Sequence, residues 1–466
     1  MMSSAYYDSK PSARWLALAS ICIAAFLIPQ SMSAVNMALP AIASDLNADA
    51  VLLSWIPAAN IWGSVVLMLP AGRVADMIGR KKVYLIGVVG FAVASLLVLV
   101  AESIEWLLII RVLQGLFSAL VFATGMAIIA AVFSDKNRGS ALGFASTSVY
   151  LGLTCGPLIG GWLTEFIGWR SVFWAPVPFA LLAIALVMIY VKSECRLNDA
   201  IKQRLDWTGT GLFFLSVTAT FYGLSGLTEW LNFVSLIAGV VLLVVFIKQQ
   251  NRSSSPLVRF RLLAKNRILN RSMGASVCMY AGHYPVLFLL SLYLQYIQGA
   301  SPVEAGQLVL IQALMMALFA PLAGRLSDRY EPRLIATSGC LLFSAGFAWL
   351  FWIDMDTSVN YIIIGLIALG IGFGLFSPPN NNAAMGSVER DRLSIASALM
   401  NLSRTTGNMF GMAITVLLFN IILGDTEIGP AQYPALLQVI KIAMVIACLY
   451  TLLAAYVSFS RGNTRS

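Results

Sequence analysis

PAGRVADMIGRKK, residues 70–82, and PLAGRLSDRYEPR, residues 321–333, are the two stretches from which the architecture can be read. Each is a short basic segment wedged between apolar runs, 52–73 and 83–101 around the first, 305–324 and 333–353 around the second. Runs of about twenty apolar residues are long enough to cross a bilayer as helices, and hydrocarbon forces the backbone to satisfy its own N–H and C=O groups. Gly72 and Gly324 are 252 residues apart, and Gly152 and Gly156 match Gly407 and Gly411 at an offset of 255. Two independent motifs at nearly one offset mark a repeated bundle of helices.

The rest of the chain reads the same way. Of its 466 residues 59% are hydrophobic and only 11% charged, about half the charge of a soluble domain. Further apolar runs lie at 15–37, 106–131, 140–164, 171–191, 207–226, 230–248, 272–296, 359–380, 393–422 and 435–458, which makes fourteen spans in all. The expected fold is therefore all-α and polytopic, two six-helix bundles plus two inserted helices. The expected units are residues 1–200, an inserted pair at 201–250, a cytoplasmic linker at 251–271 and a second bundle at 272–466.

Charge distribution sets the orientation. The net charge of +9 is spread over loops of one parity: Arg73, Arg80, Lys81 and Lys82, Lys136 and Arg138, Lys192 to Arg204, Lys248 to Arg271, Arg325 to Arg333, Arg390 and Arg392, and Arg461 and Arg465. Opposite loops carry acids and a single basic residue, Arg170. That is the positive-inside pattern of a multi-pass protein of the cell membrane with both termini cytoplasmic, and not a nucleic-acid patch. The basic, Ser-containing linker reads either as a helix lying on the anionic inner leaflet or as a plain topology signal. No cleavable leader pattern, disulfide framework or metal spacing is present. No P-loop, HExxH or GxSxG sequence occurs, so a membrane enzyme has few constellations to draw on, and no cofactor or metal is expected.

With these residues in view, the chain resembles the major facilitator superfamily, in particular its fourteen-helix drug:proton antiporter branch. GRVADMIGRKK (72–82) resembles the superfamily's loop motif, RVLQG (111–115) its fourth-helix motif, and GLTCGPLIGG (152–161) its fifth-helix antiporter motif. DWTGTGL from Asp206, LYLQYIQGASPVEAG (292–306) and RTTGNMFGMAI (404–414) extend the likeness over nearly the whole chain. The resemblance implies alternating access and proton-coupled export of a small amphipathic compound, by a monomer surrounded by lipid. A proton-independent facilitator or importer of an organic anion, and a transport-dead sensor or scaffold, are the alternatives.

The resemblance also assigns residues. Gly72, Arg73, Asp76, Gly79, Arg80, Gly324, Arg325 and Asp328 form a gate, or else only tight turns. Gly152, Gly156, Pro157, Gly160, Gly161, Gly407 and Gly411 let helices meet backbone to backbone. The branch typically carries an acid on its first helix where this chain has Ser31, and no other carboxylate lies mid-span. At the matching repeat position, 252 residues on, stands the only histidine, His283. It is the expected proton-coupling or substrate-binding residue, with a packed structural role as the alternative. The other expected cavity residues are Gln30, Ser31, Asn36, Trp55, Asn60, Arg111, Gln114, Tyr280, Arg404 and Lys441. Arg111 can instead cap backbone, Lys441 can snorkel, and the two aromatics can face lipid. Cations without acids favour an anionic or neutral substrate.

Overall fold

The structure is a computed structural model that describes residues 11–133, 135–191, 205–227, 229–253, 255–258, 266–388 and 393–462. The middle of the expected linker, residues 259–265, lies outside the described residues, as do all the basic loop residues from Lys192 to Arg204. Among the described residues fourteen long helices run α1 (Pro11–Leu46), α2 (Ala50–Ile78), α3 (Arg80–Leu97), α4 (Ile104–Val132), α5 (Asp135–Phe166) and α6 (Ser171–Tyr190, interrupted after Trp174). They continue with α7 (Trp207–Ser225), α8 (Trp230–Arg252), α9 (Arg267–Leu292), α10 (Pro302–Arg329), α11 (Pro332–Leu350), α12 (Val359–Gly386), α13 (Leu393–Ile422) and α14 (Tyr433–Phe459). Judged on the described residues, twelve of them are long and apolar enough to cross a membrane by length and composition alone. Of the other two, α7 is diluted by Gly, Ser and Thr, and the start of α5 lies partly outside the residues whose side chains are described.

Local chemistry starts and stops the helices. Asp49 caps α2 by accepting the Leu52 N–H at 2.7 Å, and Ser103 caps α4. Ser301 and Glu304 close a reciprocal capping box over the start of α10, where Pro302 needs no donor. Between α2 and α3 the chain reverses through Gly79 at φ 106°, a conformation that side chains disfavour.

Contacts repeat between halves: α1 packs on α5 as α9 does on α13, α2 on α4 as α10 does on α12, and α6 on α1 and α3 as α14 does on α9 and α11. Across the halves α5 meets α10 and α2 meets α13, while α7 packs on α8, α2 and α13. The motif glycines supply the closest approaches. A Cβ on Gly152 would stand 2.2 Å from the Phe26 carbonyl oxygen and one on Gly160 2.4 Å from that of Ala34, both on α1. Gly156 approaches Gln30 and Ser33 of α1 at 2.9 and 2.7 Å on the same measure. In the second half Gly407 and Gly411 meet the carbonyls of Val277 and Ala281 on α9 at 2.4 and 2.2 Å. The same sequence device therefore clamps the same helix pair twice.

Candidate functional site

A cavity of about 520 Å³ lies between the halves, within the range of small-molecule sites. Its lining reaches Ile21 on α1, Met126 on α4, Gly143 on α5, Met385 on α12 and Ser397 on α13, all toward the end of the molecule at which α1 begins and α14 ends, the terminus side. The opposite end is closed. There the Ala50 N–H donates to the Thr426 carbonyl at 2.9 Å, Ser291 Oγ to the Asn36 carbonyl at 2.5 Å, and the Val303 N–H to Glu165 Oε2 at 3.0 Å. Gly161 and Gly306 let α5 and α10 touch: a Cβ on either would fall 2.2 Å from the Pro302 oxygen or 2.5 Å from the Pro157 oxygen.

The two walls differ in chemistry. The first half contributes mainly apolar groups, among them Pro29, Met32, Met68, Phe122, Met126 and Leu153. The second half contributes Tyr280, His283, Gln312, Asn381, Asn401, Arg404 and Asn408. Among the described lining residues Arg404 is the only charged one. Its Nη2 donates to Asn381 Oδ1 at 2.7 Å, and its guanidinium lies 5.8 Å over the Tyr280 ring. Tyr150 of α5 crosses into this corner, its hydroxyl 2.6 Å from Ser377 Oγ on α12. No carboxylate lines the cavity among the described residues.

His283 sits beside Arg404's wall in an aromatic setting, its ring 4.4 Å from Phe373 and 5.7 Å from Phe343. Nδ1 is 3.3 Å from Gln312 Nε2. A neutral ring with its proton on Nε2 accepts from that amide. Turning the amide over would offer Gln312 Oε1, which has no other hydrogen-bond partner, to a protonated Nδ1. One glutamine can therefore serve both charge states of the ring.

Three expected cavity residues, Tyr280, His283 and Arg404, are thus brought together. The others lie elsewhere. Arg111 is buried inside the first bundle, where Nε donates to the Ile56 carbonyl at 3.1 Å and Nη1 to Gln114 Oε1 at 2.7 Å. Gln114 passes the chain of bonds to Ser95 Oγ at 2.9 Å, and Asn60 donates to the Arg111 carbonyl at 3.2 Å. Gln30, Ser31 and Asn36 are buried outside the cavity lining, with Ser31 Oγ and both polar atoms of the Asn36 amide unpaired. Trp55 packs edge-on against Phe221 of α7 at 5.5 Å. Lys441 lines a separate shallow pocket with Phe351 and Gln438.

The residues expected to form a gate also depart from expectation. Gly72 and Gly324 face open space, so neither supports a close helix approach in this conformation. Asp76 pairs at 3.2 Å with Arg80 of its own motif, and Arg80 also donates to the Ala127 carbonyl at 3.3 Å. Arg73 is half-buried in α2 and Arg325 exposed on α10, while the Asp328 side chain lies outside the described set. Sequence reasoning missed Tyr150, Tyr284, Gln312 and the α13 stripe Asn401, Thr405 and Asn408. The stripe was legible, since positions 401, 404, 405 and 408 share one helix face.

The sequence profile described as Major Facilitator Superfamily matches residues 21–412 and again 272–463. The riboflavin transporter RibZ of Clostridioides difficile is 28% identical over 407 residues, covering 85% of this chain and 87% of that one. The puromycin resistance protein pur8 of Streptomyces alboniger is 31% identical over 414 residues, covering 86% and 81%. A crystal structure of a D-xylose–proton symporter superposes over 97% of this chain and 99% of the other with a TM-score of 0.68 at 12% identity, a likeness of fold. A repeated bundle around a central cavity, a profile spanning both halves and relatives of similar length agree: the chain belongs to the Major Facilitator Superfamily, in its drug-efflux branch, and is a membrane transporter rather than an enzyme.

Proposed function

We propose that the protein is a secondary transporter that exports a small amphipathic compound, neutral or anionic, from the cytoplasm across the cell membrane in exchange for protons. The observation that carries this reading is the divided cavity: an apolar wall from one half, a polar wall from the other, and Arg404 as the single charged residue of the described lining. A ring system with one polar or anionic edge fits such a site, whereas a lipophilic cation meets repulsion. The basic loops favour cytoplasmic termini, so a cavity on that side is the loading state. Residues 1–200 and 272–466 rock as two bodies, with 201–250 and the linker 251–271 between them. The His283–Gln312 pair supplies a titratable group at the cavity where the branch's usual carboxylate is missing.

The test uses inside-out vesicles and two probes with one ring system, riboflavin and its anionic phosphate ester. An acid interior should drive accumulation of at least one of them, and collapse of the pH gradient should abolish it. The carboxylate-free wall favours one other reading, a proton-independent facilitator of organic anions, and accumulation indifferent to the gradient would select it. Binding without counterflow of either probe would point to a transport-dead protein.

A further inference from the structure

Arg111 is a cation without an anion. Its side chain is 1% exposed, its bonded partners are the neutral Ile56 carbonyl and Gln114 amide, and the face of Phe173 lies 5.8 Å away. Nη2 has no hydrogen-bond partner. Among the described residues every carboxylate stands at a helix end or in a loop, so none neutralises it. A guanidinium withdrawn from water with a free N–H pair is costly unless an anion reaches it.

The second half has an orphaned group of its own at Tyr284 of α9. The Tyr284 hydroxyl is also buried and unpaired, although the Tyr284 side chain borders the central cavity. Beyond that border the orphaned groups continue. Asn36, one turn past the lining residue Met32 on α1, leaves both amide ends unpaired, and Asn60, one turn before the lining residue Ser64 on α2, leaves its Oδ1 unpaired. These residues lie on the side of the cavity toward the closed end, where Ser291 ties α9 to the Asn36 carbonyl.

We infer that Arg111 and Tyr284 form a second anion-binding station, sealed here and opened when the far ends of the bundles part, which takes the same carboxylate-like group that Arg404 holds in the present cavity. Each half then contributes one uncompensated guanidinium. An anionic group passes from the second-half cation on the loading side to the first-half cation on the release side. Gln114, held by Ser95, fixes the Arg111 fork so that Nη2 stays free. This inference rests on the anionic-substrate reading above.

The experiment compares binding of 2-naphthoate and its neutral twin 2-naphthamide to two locked forms of the full chain. A disulfide between Ala50→Cys and Thr426→Cys holds the far end closed, and Gly161→Leu, whose side chain cannot fit against Pro302, holds it open. In the closed form, Arg404→Gln should weaken naphthoate at least tenfold, while Arg111→Gln leaves it unchanged, which also shows that the variant is folded. In the open form Arg111→Gln should cost at least tenfold for naphthoate and little for naphthamide, Arg111→Lys should restore part of the loss, and Tyr284→Phe should give a smaller loss. Indifference of the open form to Arg111→Gln, or equal losses for both probes, overturns the inference alone. Failure of naphthoate to bind the closed form overturns the anionic-substrate reading and this inference with it.

Discussion

Arg404 holds its fork toward the cavity by donating to Asn381 at 2.7 Å and more distantly to Asn401 at 3.4 Å, with Tyr280 beneath the guanidinium. Both asparagines are neutral, so the charge is available to a ligand. Loss of a charge-assisted bond is worth roughly 1.5–3 kcal/mol. Arg404→Gln should therefore weaken an anionic ligand by about 10- to 100-fold and leave a neutral isostere within a few-fold, read by equilibrium binding of the matched naphthalene pair. Arg404→Lys should recover only part, because an ammonium cannot reproduce the planar fork. At His283 the expectation concerns pH. His283→Gln should flatten the pH profile of transport, and a profile unchanged from the parent would remove the histidine from the coupling. Gln312→Leu, which keeps the volume but serves neither charge state of the ring, should shift that profile without abolishing binding.

At the level of helices, backbone contact through glycine decides what can move. Gly152, Gly156 and Gly160 bind α5 to α1 within one half, whereas Gly161 touches Pro302 in the other half. The two sets predict different failures. Gly411→Leu drives a side chain into the Ala281 carbonyl and should lower stability, as a fall in melting temperature in detergent. Gly161→Leu should spare stability and shift the conformational balance, so that Ser397→Cys in the cavity reacts more slowly with an impermeant maleimide from the terminus side. The inserted pair has its own tie. Burial pushes the Asp206 carboxyl up, but the Gly209 N–H and the side-chain amides of Gln249 and Gln250 outweigh it and hold the carboxyl below its ordinary value. The stabilisation is then present above the unfolded carboxylate value of about 4 and lost as pH falls through the depressed one. Asp206→Asn should lower the melting temperature at pH 7, and the gap to the parent should narrow toward pH 3.

Helix existence was legible because twenty-residue apolar runs and a repeated loop leave little choice, and the glycine spacing marked close helix approaches without naming the partner helices. Rotation was not legible in the first half. Gln30, Asn36, Asn60 and Gln114 are polar within spans, and a polar group there can face either a cavity or a neighbouring helix. Here they take the second option, while the cavity wall of α4 is the apolar turn Val121–Met126. In α13 the polar residues recur at helical spacing, so the face was readable.

Over the whole molecule, the far end is zipped by backbone and side-chain bonds across the halves, while Gly72 and Gly324 face open space at the other end. Transport requires that this asymmetry reverse. The most direct measurement joins Ala50 to Thr426, whose backbones are already linked by a 2.9 Å hydrogen bond, through the Ala50→Cys and Thr426→Cys pair, and follows counterflow in proteoliposomes before and after reduction. The account predicts that the oxidised protein still binds ligand from the terminus side but transports none, and that reductant restores transport while each single-cysteine variant behaves like the parent. Undiminished counterflow through the cross-linked protein would contradict it.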